Sequence, residues 1–152
     1  MLDCNPVKTP MEKGLQLEAN ITGQELHKPY RELLGSIMYI MLCSRPDICY
    51  AVSFMGRYQQ NPSEVHWQHL KRIVRYLQGT KSLKLNFNST QDPPVIGYAD
   101  ADWASDIVDR KSVSGYVFQV YGSSVSWCSK KQTTVAISSS EAEYVALSSA
   151  AA

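Results

Sequence analysis

The chain has no long apolar run, no paired cysteine motif and no excess of charge of one sign. Nothing approaches the roughly 18 consecutive apolar residues that a membrane-spanning helix needs. Residues 1–10 lack the charged-then-apolar pattern of a signal peptide. The expectation is a soluble, intracellular protein with no membrane partner. Four scattered cysteines, Cys4, Cys43, Cys49 and Cys128, form no C-x-x-C pair. That excludes a small disulfide-stapled scaffold and suits a reducing compartment, with buried free thiols expected. His66 and His69 stand three apart, but no cysteine or third histidine lies at zinc-ligand spacing. Fifteen Lys and Arg against fourteen Asp and Glu leave +1, which argues against a partner held by bulk charge. G-x-S-x-G, P-loop and dinucleotide fingerprints are also missing, so nucleophilic serine chemistry and nucleotide cradles have little support.

What is present is 152 residues with 44% hydrophobic content, enough for a real core. The near-neutral average conceals a split: residues 1–90 hold 11 basic and 7 acidic side chains, and residues 91–152 hold 4 and 7. Residues 1–24 carry Pro6, Pro10, Gly14 and Gly23 with little periodicity and read as a loose leading segment. From 25 to 42, Leu26, Leu33, Leu34, Ile37, Met38 and Met41 recur at three and four, marking a helix with a broad buried face. Gly35 and Ser36 within it suggest close packing on a neighbour. Pro46 can open a second helix, to about Tyr58, with Asp47 suited to the positive end of its dipole. Ser63 can cap a third, whose stripe is Trp67, Leu70, Ile73, Val74 and Leu77 and whose stop is Gly79. Lys71, Arg72 and Arg75 on this helix, then Lys81 and Lys84, give five positive charges with no acid from residue 65 to 90. Such a run is either a solvated face or a surface lying along a phosphate backbone, where each neutralised phosphate releases counterions.

Beyond Pro94 the period changes. Residues 95–102, 113–121 and 125–129 have strand composition, the last two joined by a two-residue hairpin at Gly122 and Ser123. Three antiparallel strands in a row are implied. Residues from Ser138 switch to helix, with Ala142, Val145, Ala146 and Ser149 on one face.

Two motifs carry chemistry. In Tyr98-Ala99-Asp100-Ala101-Asp102-Trp103 two carboxylates two apart on a strand share a face. Carboxylates held together invite a divalent cation, while in a solvated loop one would make an Asx-turn instead. A calcium loop starting at Asp100 fails, because Ala104, Ser105 and Lys111 occupy its fifth, sixth and twelfth positions. In Ser138-Ser139-Ser140-Glu141-Ala142-Glu143-Tyr144, Ser138 with Glu141 or Ser140 with Glu143 can form a capping box. The two glutamates lie about 200° apart around a helix, so only one faces a sheet beneath it. If Ser138 caps, Glu141 is the box partner and Glu143 is left for another role.

The order of these features, strand with carboxylate, hairpin, then helix with glutamate, resembles the first half of a ribonuclease H fold. The blocks Tyr98-Ala99-Asp100-Ala101-Asp102-Trp103-Ala104, Asp109-Arg110-Lys111-Ser112-Val113-Ser114-Gly115-Tyr116, Ser126-Trp127 and Ser138 to Tyr144 resemble the ribonuclease H of copia-type LTR retrotransposon Pol polyproteins. Upstream, Asp3-Cys4-Asn5-Pro6-Val7-Lys8-Thr9-Pro10-Met11, Tyr30-Arg31-Glu32-Leu33-Leu34-Gly35-Ser36, Arg45-Pro46-Asp47-Ile48, His66-Trp67 and Tyr76-Leu77-Gln78-Gly79-Thr80 resemble the end of that family's reverse transcriptase.

The resemblance implies an α+β chain in two parts: residues 1–90 as a helical, thumb-like reverse-transcriptase connection, and residues 91–152 as an incomplete ribonuclease H-like domain of three antiparallel strands and a first helix. It implies cleavage of the RNA strand of an RNA-DNA hybrid by two-metal hydrolysis, with two Mg2+ ions astride the scissile phosphate. Asp100 and Glu143 fall on catalytic, metal-holding positions, with Asp102 second to them. Lys71, Arg72, Arg75, Lys81 and Lys84 become a hybrid-binding face. The implied partners are nucleic acid and the remainder of the polyprotein, in a cytoplasmic particle or the nucleus. The family's third and fourth metal ligands and its polymerase aspartates have no counterpart in these residues. The expectation is therefore a fragment inactive alone, with an unpaired sheet edge that lowers solubility. The alternative is a retained, non-catalytic module that binds nucleic acid or protein.

Overall fold

The computed structural model describes residues 4–20, 26–87 and 93–152. They form an α+β chain of two compact units, Met1–Lys84 and Leu85–Ala152. The boundary expected between residues 90 and 91 lies outside the described residues, as does Glu25, where the first helix was expected to begin. No helix among the described residues is long and apolar enough to cross a membrane.

In the first unit, α1 (Tyr30–Ser44) is followed by a 3-10 turn (Pro46–Ile48), α2 (Cys49–Gly56) and α3 (Glu64–Gly79). The core is where their stripes meet: Tyr30, Leu34, Ile37 and Met41 of α1, Val52 and Met55 of α2, and Leu70, Ile73 and Tyr76 of α3. Proline at the first position starts a 3-10 turn rather than a full α-turn, and the α-helix proper ends at Gly56, two residues before the expected end. Gly35 is not a close-packing site, because a Cβ built on it meets nothing within 4 Å. The outward face of α1 is instead apolar and open, with Tyr39 71% and Leu42 63% exposed. Of the cysteines only Cys49 is buried, and Cys43 is exposed.

Asp47 stands in the first turn as expected, and does more than meet a helix dipole. Arg45 grips it bidentately, Nε to Oδ1 at 2.8 Å and Nη2 to Oδ2 at 2.7 Å. Tyr76 donates its hydroxyl to the same Oδ2 at 2.8 Å. The guanidinium also reaches the end of α3, donating to the Thr80 hydroxyl at 2.6 Å and lying 5.6 Å from the Tyr76 ring centre. Charge-assisted bonds of this length are the strong kind, and the network clamps the turn after α1 to the end of α3.

Ser63 caps α3 with His66 as its box partner: the Ser63 N–H donates to His66 Nδ1 at 2.9 Å. The imidazole takes the place usually filled by Glu or Gln. It is 1% exposed and stacks on Tyr58 with ring centres 4.2 Å apart. The segment expected to be loose, residues 4–20, is irregular but held. The Tyr58 hydroxyl donates to Leu17 O at 2.8 Å, and Asn61 Nδ2 to Asn20 O at 2.9 Å.

The second unit is one antiparallel sheet in the order β1-β2-β3, with β1 Val95–Asp102, β2 Val113–Val120 and β3 Ser123–Lys131. Helix α4 (Ser139–Ala151) packs on β1 and β2. The hairpin turn lies one residue earlier than expected. Val120 pairs with Ser123, and the two loop residues are Tyr121 and Gly122 at φ 47° and 77°. Two successive positive φ values mark the turn class whose twist matches the strands. Ser138 caps α4, accepting from Glu141 N at 3.2 Å. Of the face expected to be buried, Ala142 and Ala146 are, and Ser149 is exposed.

Candidate functional site

Asp100 pairs with Gly115 and Asp102 with Val113, so the pleat puts both side chains on one face of β1, and both are exposed. Asp100 Oδ1 accepts from the N–H of Ala101 at 2.9 Å. The intervening Ala101 pairs with Ser114, whose hydroxyl accepts from Gln132 Nε2 at 2.9 Å. The same Nε2 donates to Ala142 O on α4 at 3.0 Å. Ala101 is therefore on the helix-covered side, and Asp100 and Asp102 project from the other face.

On α4 the carboxylates divide as the Ser138 cap requires. Glu141 Oε2 accepts from Ile137 N at 2.7 Å, one residue before the cap, and so satisfies an otherwise free N–H. Glu143 takes no part in the cap and is exposed. Ala142, its neighbour about 100° round the helix, is the residue buried on the sheet. Among the described residues no group of three or more His, Cys, Asp or Glu side chains could hold a metal ion. A hard divalent ion takes six or more oxygens in ordered geometry. Asp100, Asp102 and Glu143 do not form such a set here, so the described residues do not fit a two-ion site.

The loop after β1 has an order of its own. Lys131, at the end of β3, donates to Asp106 Oδ2 at 2.5 Å and sits 2.9 Å from Asp109 Oδ1. Asp106 Oδ1 also accepts from Val108 N at 3.0 Å. Partial burial works to raise the Asp106 pKa, but Lys131 and these N–H groups hold it below the usual carboxylate range. Ser112 is fully buried and accepts from Ala104 N at 3.1 Å. The block Asp109-Arg110-Lys111-Ser112 is thus loop scaffold beside the end of β1. Sequence reading missed Asp106, Lys131 and Gln132. The signal available for the first two was acid after β1, at Asp106 and Asp109, and base at the end of β3, at Lys130 and Lys131.

The basic run divides. Arg72 donates to Glu12 Oε1 and to Thr9 Oγ1, each at 3.1 Å, and Arg75 Nε donates to Asn5 O at 2.7 Å. Both arginines therefore hold the leading segment. Lys71 is half-buried, and Lys81 and Lys84 are exposed.

The chain is 49% identical over 122 residues to a secreted RxLR effector protein 161 of Plasmopara viticola, covering 80% of this chain and 86% of that protein. It is 43% identical to the retrovirus-related Pol polyprotein from transposon TNT 1-94 of Nicotiana tabacum, over 96% of this chain but 11% of that protein. With the Pol polyprotein from transposon RE2 of Arabidopsis thaliana it shares 40% identity, over 95% and 10% respectively. The chain thus spans about a tenth of the length of these polyproteins. No family model and no solved structure matches it.

Proposed function

The chain belongs to the family of copia-type, retrovirus-related transposon Pol polyproteins, and we propose that it is a nucleic-acid-handling segment of such a polyprotein that does not cleave by itself. In this reading Leu85–Ala152 is the ribonuclease H-like part. Asp100 and Glu143, with Asp102 second, are carboxylates on which an Mg2+ site would draw. Met1–Lys84 is the connection that meets an RNA-DNA hybrid, through Lys71, Arg72, Arg75, Lys81 and Lys84. The observation that carries it is the division of labour on α4: Glu141 is consumed by the cap, and Glu143 is left exposed one helical step from the sheet-facing Ala142. A glutamate with no part in the local fold is available for a ligand. The described residues bring too few donors together to hold an ion firmly.

The test is incubation of the purified chain with a labelled RNA-DNA hybrid and millimolar Mg2+, alongside D100N and E143Q. No cleavage is expected from any of the three. Amide signals around Asp100 and Glu143 should shift weakly on Mg2+ titration, the first lost in D100N and the second in E143Q. Cleavage abolished by D100N would overturn the proposed inactivity, and an Mg2+ titration that moves neither region would overturn the carboxylate assignment.

A second reading, a retained non-catalytic module that binds nucleic acid or protein, is favoured by one observation: the chain covers 86% of the effector protein. It predicts hybrid binding indifferent to Mg2+.

A further inference from the structure

The contacts of Arg72 differ in kind from those of Arg45. Arg45 holds one carboxylate with two bonds of 2.7 and 2.8 Å, and its side chain is 9% exposed. Arg72 places one nitrogen on the Glu12 carboxylate and one on the Thr9 hydroxyl, both at 3.1 Å. Its Nε is buried with no hydrogen-bond partner. The Glu12 side chain is 56% exposed. An arginine fork suits two oxygens of one carboxylate or phosphate, so this guanidinium is held with its donors only partly used.

The covering segment has two halves. Residues 15–20 are fixed by neutral bonds, the Tyr58 hydroxyl to Leu17 O and the Asn61 amide to Asn20 O. Residues 5–12 lie on α3 through Arg72 and Arg75, with Pro6 seated on Gly79, where an added Cβ would come within 2.9 Å of the proline Cβ. Between the halves is Gly14, at φ +70° with nothing within 4 Å of its Cβ position. A glycine in the left-handed region, in a turn closed by one long bond from Leu15 N–H to Glu12 O at 3.4 Å, is a hinge that opens when that bond breaks.

We infer that residues 5–12 are a displaceable strap over a polyanion-binding face of α3, pivoting at Gly14, with the Glu12 carboxylate standing on Arg72 in the place of a phosphate oxygen. The inference rests on the reading of α3 as a nucleic-acid face and adds its regulation. A phosphate chain that displaces the strap gains both arginines beside Lys71, whereas with the strap in place Arg72 and Arg75 are already bonded. Affinity is therefore set by the difference between the two occupants.

The test compares wild type with E12Q, which keeps the strap's shape and removes its charge. The probes are a labelled RNA-DNA hybrid and inorganic polyphosphate, read by anisotropy and by competition at several salt concentrations. E12Q should bind both about threefold to tenfold more tightly. Trypsin cleavage after Lys8 and Lys13 should accelerate when either probe is added to wild type. If E12Q binds both probes as wild type does, and cleavage is unchanged by them, the strap is overturned. The nucleic-acid reading then stands as long as hybrid binding is lost in the double variant R72Q/R75Q. If polyphosphate shows the expected effects and the hybrid does not bind, the strap stands and the hybrid reading falls. Binding of neither probe at low salt overturns both.

Discussion

Arg45 Nη2 donates to the Thr80 hydroxyl at 2.6 Å, bonding residues thirty-five positions apart across the first unit. It also holds Asp47 in a bidentate arginine-carboxylate pair, with Tyr76 donating to the same carboxylate. D47A leaves a guanidinium with a 9% exposed side chain facing no charge. Breaking such a pair costs about 3 kcal/mol. Urea unfolding followed by signals of the first unit should show that loss, and T80V should show a smaller one.

His66 predicts a pH dependence. Burial is the main cause that pushes its pKa below 6.5, with His69 adding to it and the backbone at Glu18 opposing. The unfolded chain therefore takes up a proton at a pH where the folded chain does not, and stability rises with pH across that interval. The first unit should lose stability as pH falls below about 6.5, levelling off under the lowered folded-state pKa. H66Q keeps a box partner and removes the titration, so its stability should be flat over the same range in a calorimetric series.

Tyr121 occupies the first place of a turn that asks for φ above zero, and does so with a bulky side chain at φ 47°. Asn tolerates this region and is favoured in this turn ahead of Gly. Y121N should stabilise the second unit by about 1 kcal/mol, read as a higher denaturation midpoint with an unchanged slope.

Gln132 is 6% exposed, and its amide N–H groups tie β2 to α4. Q132L leaves Ser114 without its bond and should cost about 2 kcal/mol. Faster hydrogen exchange in α4, with the β1–β2 ladder protected as before, would locate the damage at that tie.

The α+β character and the three strands were legible because each is a local pattern, strand composition for β1 and helix formers for α4, whereas the cap stood open between Ser138 and Ser140, each with a glutamate three residues on. What was not legible was long-range. Arg72 and Arg75 look the same in sequence whether they face phosphate or Glu12 and Asn5. Asp47 after Pro46 fits a helix dipole until the fold brings Tyr76 to it. Gly35 suggests a neighbour in any apolar helix, and only the packing of α1 leaves it open. The hairpin was misplaced by one residue because Gly122 fits either place of a two-residue turn, and only the Val120–Ser123 pairing decides. Asp100 and Asp102 were correctly put on one face, but which face α4 covers depends on Gln132, a residue with no signature.

The turn at Tyr121 and Gly122 also makes the sheet more sensitive to length than to spelling. One residue inserted or deleted there would put β3 out of phase with β2, turning every β3 side chain over. Lys131 would leave Asp106, and Gln132 would leave Ser114 and Ala142. Substitutions along these strands can accumulate one at a time, while a single in-frame codon gained or lost between them would dismantle the loop scaffold and the helix tie together.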